Sequence, residues 1–178
     1  MKLATFTESG RTRVGVVLGD RIADLAVAAP GLPGDLLALL EAGPAALAEA
    51  ERAARDATAL PLDAVRLEAP LRRPPKILAV GLNYADHVAE AGLETPKLPL
   101  IFNKQPTSVA GPADAIHMPR VSTALDYEGE LGVVIGRRCR HVPRERAAEV
   151  VAGYLVVNDV SVRDWQLRTP TWTMGKSF

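Results

Sequence analysis

The chain has 178 residues, 48% of them apolar, and its 21 basic and 21 acidic side chains leave no formal net charge. That length suits one domain with a small appendage, and the absence of any basic run excludes an electrostatic footprint for nucleic acid. No apolar stretch reaches the roughly 18 residues of a membrane-spanning helix, and a single cysteine, Cys139, excludes an internal disulfide.

The start, Met1 to Thr7, has no long apolar segment ahead of a cleavage site, so no signal peptide is expected and a cytoplasmic location follows. Lys2 to Thr7, Arg13 to Leu18 and Arg21 to Leu25 read as strands of a small meander, with turns at Glu8–Arg11 and Gly19–Asp20. Asp35 to Ala42 is helical and stops at Gly43. Pro44 opens a second helix rich in Ala, Glu and Arg. The prolines at 70, 74 and 75 mark an extended linker, which places a domain boundary between residues 1–70 and 71–178.

The second unit opens with a short buried strand, Ile77 to Val80, and then a helix from about Tyr84 to Ala91 between Asn83 and Gly92. Leu98 to Phe102 is another strand, and Pro106 to Pro119 a long loop. Asp126 to Ile135 reads as one strand with acids at its start and a buried β-branched run at its end. Pro143 to Val151 is helical, Tyr154 to Val157 a buried strand, and Arg163 to Leu167 a short helix.

Alternate residues of a strand share a face, so Asp126, Glu128 and Glu130 crowd together there. Either that face is a solvated strand end, or a divalent cation offsets the repulsion. Asp159 follows an apolar strand, where an Asx turn is the alternative to a site residue. Linked strands would bring Asp159 to Glu128 and Glu130, giving three oxygen ligands suited to Mg²⁺ or Mn²⁺ and unsuited to zinc, with Asp126 as a fourth acid behind them.

His87 and Glu90 lie three apart on one helix face. They are either a surface pair or a general base and the carboxylate that orients it. Lys104, Arg163, Gln166 and Lys176 are candidates for holding an oxo-acid substrate. His117, His141 and Cys139 are read as incidental, and Trp165 and Trp172 as core or interface anchors.

Four motifs occur in order: Lys76-Ile-Leu-Ala-Val-Gly-Leu-Asn-Tyr-Ala-Asp-His87, Asp126-Tyr-Glu-Gly-Glu-Leu131, Asn158-Asp-Val-Ser-Val-Arg-Asp164 and Gly175-Lys-Ser-Phe178. They resemble the catalytic domain of the fumarylacetoacetate hydrolase family, over residues 70–178. Residues before it resemble the small N-terminal domain of bacterial members. The resemblance implies an α+β protein: a mixed β-roll, incomplete here because the family continues past Lys176-Ser177-Phe178, preceded by a small α+β domain. A truncated chain is therefore expected.

It further implies Mg²⁺ or Mn²⁺ on Glu128, Glu130 and Asp159, with Ca²⁺ able to stand in within crystals. His87 and Glu90 become the water-activating dyad, on a segment that orders over the ligand, and Lys176 a catalytic lysine. Lys104, Arg163 and Gln166 remain substrate-binding candidates. The implied activity is cleavage of a carbon–carbon bond in an acylpyruvate or fumarylpyruvate-type 2-oxo acid, in aromatic catabolism, by a homodimer that binds neither membrane nor nucleic acid. Isomerisation, hydration or decarboxylation of a related acid, or a truncated metal-binding module without catalysis, are the alternatives.

Overall fold

The computed structural model describes residues 1–90 and 92–178. The fold is α+β, and the chain divides into two compact units. Residues 1–72, 110–115 and 131–156 form the first, and residues 73–109, 116–130 and 157–178 the second.

The first unit is built on an antiparallel sheet in the order β4-β3-β2-β1-β5, formed by β1 (Lys2–Glu8), β2 (Arg11–Leu18), β3 (Arg21–Asp24), β4 (Ala59–Pro61) and β5 (Arg66–Leu67). Ser9 and Gly10 turn the first hairpin with positive φ, the conformation a tight reversal needs and glycine tolerates best. The third expected strand ends at Asp24, because its carboxylate caps α1 (Leu25–Ala28) by accepting the Ala26 N–H. Asp35 likewise caps α2 (Leu36–Glu41), and Pro44 opens α3 (Pro44–Arg55).

Val14, Val16, Ala23, Leu25, Leu36, Leu39, Ala50 and Ala54 form the core between sheet and helices. Ala50 and Ala54, four apart on α3, are small enough to bring the helix close to the sheet. The proline-rich stretch is not wholly unstructured, since Arg66 and Leu67 pair with Thr7 and Phe6 as an edge strand.

In the second unit β6 (Ile77–Gly81) pairs antiparallel with β7 (Leu100–Lys104), and α4 (Ala85–Glu90) lies between them in sequence. The expected helix end at Ala91 lies outside the described residues. A single 3₁₀ turn, Pro106–Ser108, interrupts the expected long loop.

The acidic strand is not continuous. It divides into β8 (Leu125–Asp126) and β9 (Gly129–Ile135), with Tyr127 and Glu128 outside either ladder. The break has a local cause: Asp126 turns its carboxylate back onto the Tyr127 N–H, and the Glu128 N–H donates to the Asn158 side chain instead of to a neighbouring strand. Residues 144–150 form the helix expected over residues 143–151, and it is a 3₁₀ helix.

β10 (Val151–Asn158) pairs with β9, and β11 (Ser161–Val162) with β8, followed by α5 (Arg163–Gln166). The apolar strands expected to be buried are half-exposed. Leu131, Val133 and Ile135 are 63%, 48% and 56% accessible, and Leu78, Val80, Tyr154 and Val156 are exposed as well. Their alternation with less accessible neighbours is that of a strand covered on one face. No helix among the described residues is long and apolar enough to cross a membrane.

Candidate active site

The candidate residues that come together all lie in the second unit. β8 and β11 pair with Ser161 opposite Asp126, which sets two of the chain's acidic segments side by side. Beyond the end of that ladder the Asp159 N–H donates to the Glu128 carbonyl at 2.8 Å. The Val162 N–H donates to the Gly175 carbonyl, also at 2.8 Å, and so draws Lys176 to the same place. Gly175 is required there: a Cβ would lie 2.2 Å from the Gln166 backbone nitrogen.

These main-chain ties place Lys176 between two carboxylates. Its side chain is almost wholly buried, with Nζ donating to Glu128 Oε2 at 2.7 Å and to Asp159 Oδ2 at 3.0 Å. The same ammonium lies 5.1 Å from the centre of the Phe102 ring, a cation–π distance. Each carboxylate gives its other oxygen to a different cation. Arg163 holds Glu128 Oε1, and Lys104, reaching in from the end of β7, holds Asp159 Oδ1 and the Val160 carbonyl.

Arg163 also clamps Asp126 with Nε and Nη2 and donates to Gln166 Oε1. That clamp and the Tyr127 N–H hold the Asp126 carboxyl below the usual aspartate range. Burial pushes the Lys104 amine below the ordinary lysine value, helped by the nearby Lys176 charge and opposed by Asp159.

Among the described residues, Glu130 is the one acid of the three with no ion pair. Burial raises its carboxyl above the ordinary value, and the charges of Glu128 and Asp159 add to the rise. A hydrogen bond from the Tyr84 side chain acts in the opposite direction. The three acids are thus within electrostatic reach of one another, although the break at Tyr127 and Glu128 removes the simple face-sharing that one strand would have given.

Among the described residues, no group of three His, Cys, Asp or Glu side chains is arranged to hold a metal ion as it stands. The donor chemistry nevertheless fits a hard divalent cation. The donors are all anionic oxygens, and one oxygen each from Glu128 and Asp159 already faces a single positive centre.

His87 and Glu90 sit exposed on α4, and neither side chain makes a hydrogen bond or ion pair among the described residues. The Tyr84 side chain, one residue before α4, bonds Glu130 and so links that segment to the acids. His117, His141 and Cys139 are exposed. Trp165 packs edge-on against Phe178 with Arg168 stacked 3.9 Å over its ring, and Trp172 meets Phe102 edge-on.

Three contributors were not anticipated. Tyr84 and Asn158 stand inside the motifs quoted above, so their place beside candidate acids was the available clue. Phe102 had no clue beyond its apolar strand.

Comparison with known proteins supplies a family. The model described as the fumarylacetoacetate (FAA) hydrolase C-terminal matches residues 76–178. A Burkholderia ambifaria protein with a provisional hydrolase name is 46% identical, over all of this chain and 62% of its own length. The fumarylacetoacetate hydrolase of the psychrophile Exiguobacterium antarcticum is 35% identical and superposes with a TM-score of 0.83, over 100% of this chain and 62% of that one. The maleylpyruvate hydrolase of Sphingobium sp. SYK-6, solved in complex with manganese(II) and pyruvate, is 31% identical with a TM-score of 0.78, over 99% and 63%. The chain therefore spans about three-fifths of the length of the relatives it matches.

Proposed function

This chain belongs to the fumarylacetoacetate hydrolase family, and from that membership we propose that it serves a divalent-metal-dependent hydrolase cleaving a carbon–carbon bond in an acylpyruvate-type 2-oxo acid. The observation that carries the reading is the convergence of Glu128 Oε2 and Asp159 Oδ2 on one cationic position, with Glu130 within reach of both charges. The manganese and pyruvate bound by the Sphingobium relative support it by analogy. We take residues 1–70 as a small N-terminal domain and 71–178 as part of the catalytic domain, in a cytoplasmic homodimer.

In this reading Glu128, Glu130 and Asp159 hold Mg²⁺ or Mn²⁺. When bound, the cation supplies Lewis acidity toward the 2-oxo acid end of the substrate. His87, oriented by Glu90, takes a proton from water as the water oxygen adds to the distal carbonyl. The carbon–carbon bond then breaks, its electron pair leaves with the 2-oxo acid fragment as an enolate, and a proton returns to that carbon. A carboxylic acid and a 2-oxo acid are released. Lys176, Arg163 and Lys104 supply positive charge, and Gln166 an amide, toward the substrate carboxylate and the developing oxyanion.

The test is a substrate panel with Mn²⁺ or Mg²⁺, and with chelator: acylpyruvate cleavage, oxaloacetate decarboxylation and dienoate isomerisation. Chelator-sensitive acylpyruvate cleavage is expected. Turnover confined to decarboxylation or isomerisation overturns the hydrolase assignment.

A further inference from the structure

Two residues of the second unit other than glycine hold left-handed backbone, Leu82 at φ 53° and Trp172 at φ 58°. Bulky side chains avoid that region, and it persists only where the surroundings dictate it. Around Trp172 those surroundings are short turns. Its N–H donates to the Thr169 carbonyl, its carbonyl accepts from the Gly175 N–H at 3.0 Å, and the Lys176 N–H donates to the Thr173 carbonyl. Residues 172–176 therefore form one tightly bonded reversal.

The indole leaves this reversal and lies on the end of β6. A Cβ at Gly81 would fall 2.5 Å from Trp172 Cζ3 and 3.1 Å from Cη2, so a ring this close to the strand needs glycine there. Phe102 packs against the indole at 5.5 Å and 63°, and the Lys176 ammonium lies 5.1 Å from the centre of the same phenyl ring. Immediately after Gly81 the backbone turns at Leu82 and runs through Tyr84 into α4, which carries His87 and Glu90. One ring thus touches the point from which that segment departs and heads the turn that leads to Lys176.

We propose that Trp172 is a positioning residue that fixes the segment carrying His87 and Glu90 relative to Lys176, through its contact with Gly81. The proposal rests on the roles given to those three residues above, and adds the part that holds them in register. A helix of 6 residues such as α4 is too short to hold itself in place. A catalytic group displaced by about 1 Å loses on the order of 10²-fold in rate.

Hydrogen exchange read by mass spectrometry is compared in wild type, Trp172→Leu and Gly81→Ala, which disturb the contact from its two sides. Trp172→Leu should speed exchange several-fold over residues 82–90, and Gly81→Ala over residues 172–176, while β1, β2 and β7 keep their rates. kcat and KM for acylpyruvate cleavage with Mn²⁺ are then measured in Trp172→Leu, His87→Ala and the double variant. Trp172→Leu should lower kcat by on the order of 10²-fold with KM little changed, and Trp172→Phe should recover part of the loss. The double variant should be hardly slower than His87→Ala, since a residue that acts through another is non-additive with it.

Exchange over residues 82–90 that keeps its wild-type rate in Trp172→Leu, or that rises equally throughout the second unit, overturns the proposal and leaves Trp172 a core side chain. Additive losses in the double variant overturn it as well. Wild-type protein that cleaves no acylpyruvate overturns the hydrolase reading instead, and the exchange comparison still decides the contact. If Trp172→Leu does not fold, Trp172→Phe and Gly81→Ala carry the exchange test, and wild-type rates in both overturn the proposal.

Discussion

The Asp159 main-chain N–H donates to the Glu128 carbonyl at 2.8 Å. Two carboxylates that repel one another are thus fixed together by backbone, before any side-chain pairing is considered. The cations gathered around them follow from that constraint, since acids held together and partly buried need compensating charge.

The first prediction concerns ligand-linked stability. Mg²⁺ or Mn²⁺ should raise the unfolding midpoint, and chelator should reverse the rise. At a hundredfold excess over its dissociation constant an ion binding only the folded state contributes about 2.7 kcal/mol. Glu130→Ala should shrink the shift in thermal melts, and an equal shift in both proteins would remove Glu130 from the ligand set.

The second concerns the exposed dyad on α4. His87→Ala should lower turnover of the true substrate by about 10²–10⁴-fold, and Glu90→Ala by less. The double variant should be little worse than His87→Ala, as expected of residues acting as one unit. Mn²⁺ affinity by calorimetry should hardly change in any of the three, and near-normal turnover in His87→Ala would return the pair to the surface.

The third concerns Gly175. A Cβ there would sit 2.2 Å from the Gln166 backbone nitrogen and 2.4 Å from its Cα, and backbone cannot move aside as a flexible side chain can. Gly175→Ala should cost about 1–3 kcal/mol in denaturant unfolding, and should also shift the neighbouring Lys176. Gly129→Ala, where a Cβ meets nothing within 4 Å, is the control and should be nearly silent.

The fourth concerns pH. Asp114 accepts from the Gly111 N–H at 2.6 Å and pairs with Arg66, and these hold its carboxyl below the ordinary value. As pH falls, the unfolded chain takes up that proton first. The contribution is complete above the unfolded value of about 3.9 and disappears as pH falls through the lower folded value. Urea unfolding of Asp114→Asn should therefore show a flatter acid limb than wild type below about pH 4; an unchanged slope would show that the contact does not matter.

Much of this was legible in the sequence. The turns at Ser9–Gly10 and Gly19–Asp20, the helix that follows Asp35, the helix opened by Pro44, and the order of the motifs around Asp126, Asp159 and Lys176 are local features, and the fold respects them. What the sequence did not reveal was pairwise. Nothing near Lys176 in the chain says that its ammonium bridges Glu128 and Asp159, or that Lys104 takes the other Asp159 oxygen, because those partners meet only through β8, β11 and the Gly175 carbonyl. Period-two reasoning also failed at Tyr127 and Glu128, where two side chains compete for the backbone donors that a ladder would use.

The accessible leucine, valine and isoleucine of β9 have a practical consequence at the bench. Such a stripe should bind hydrophobic dyes and phenyl resins. Replacing Val133 with threonine should lower the fluorescence of bound anilinonaphthalene sulfonate, shorten retention on a phenyl column and reduce light scattering in concentrated samples. A β-branched residue is kept in the strand while the greasy surface is interrupted.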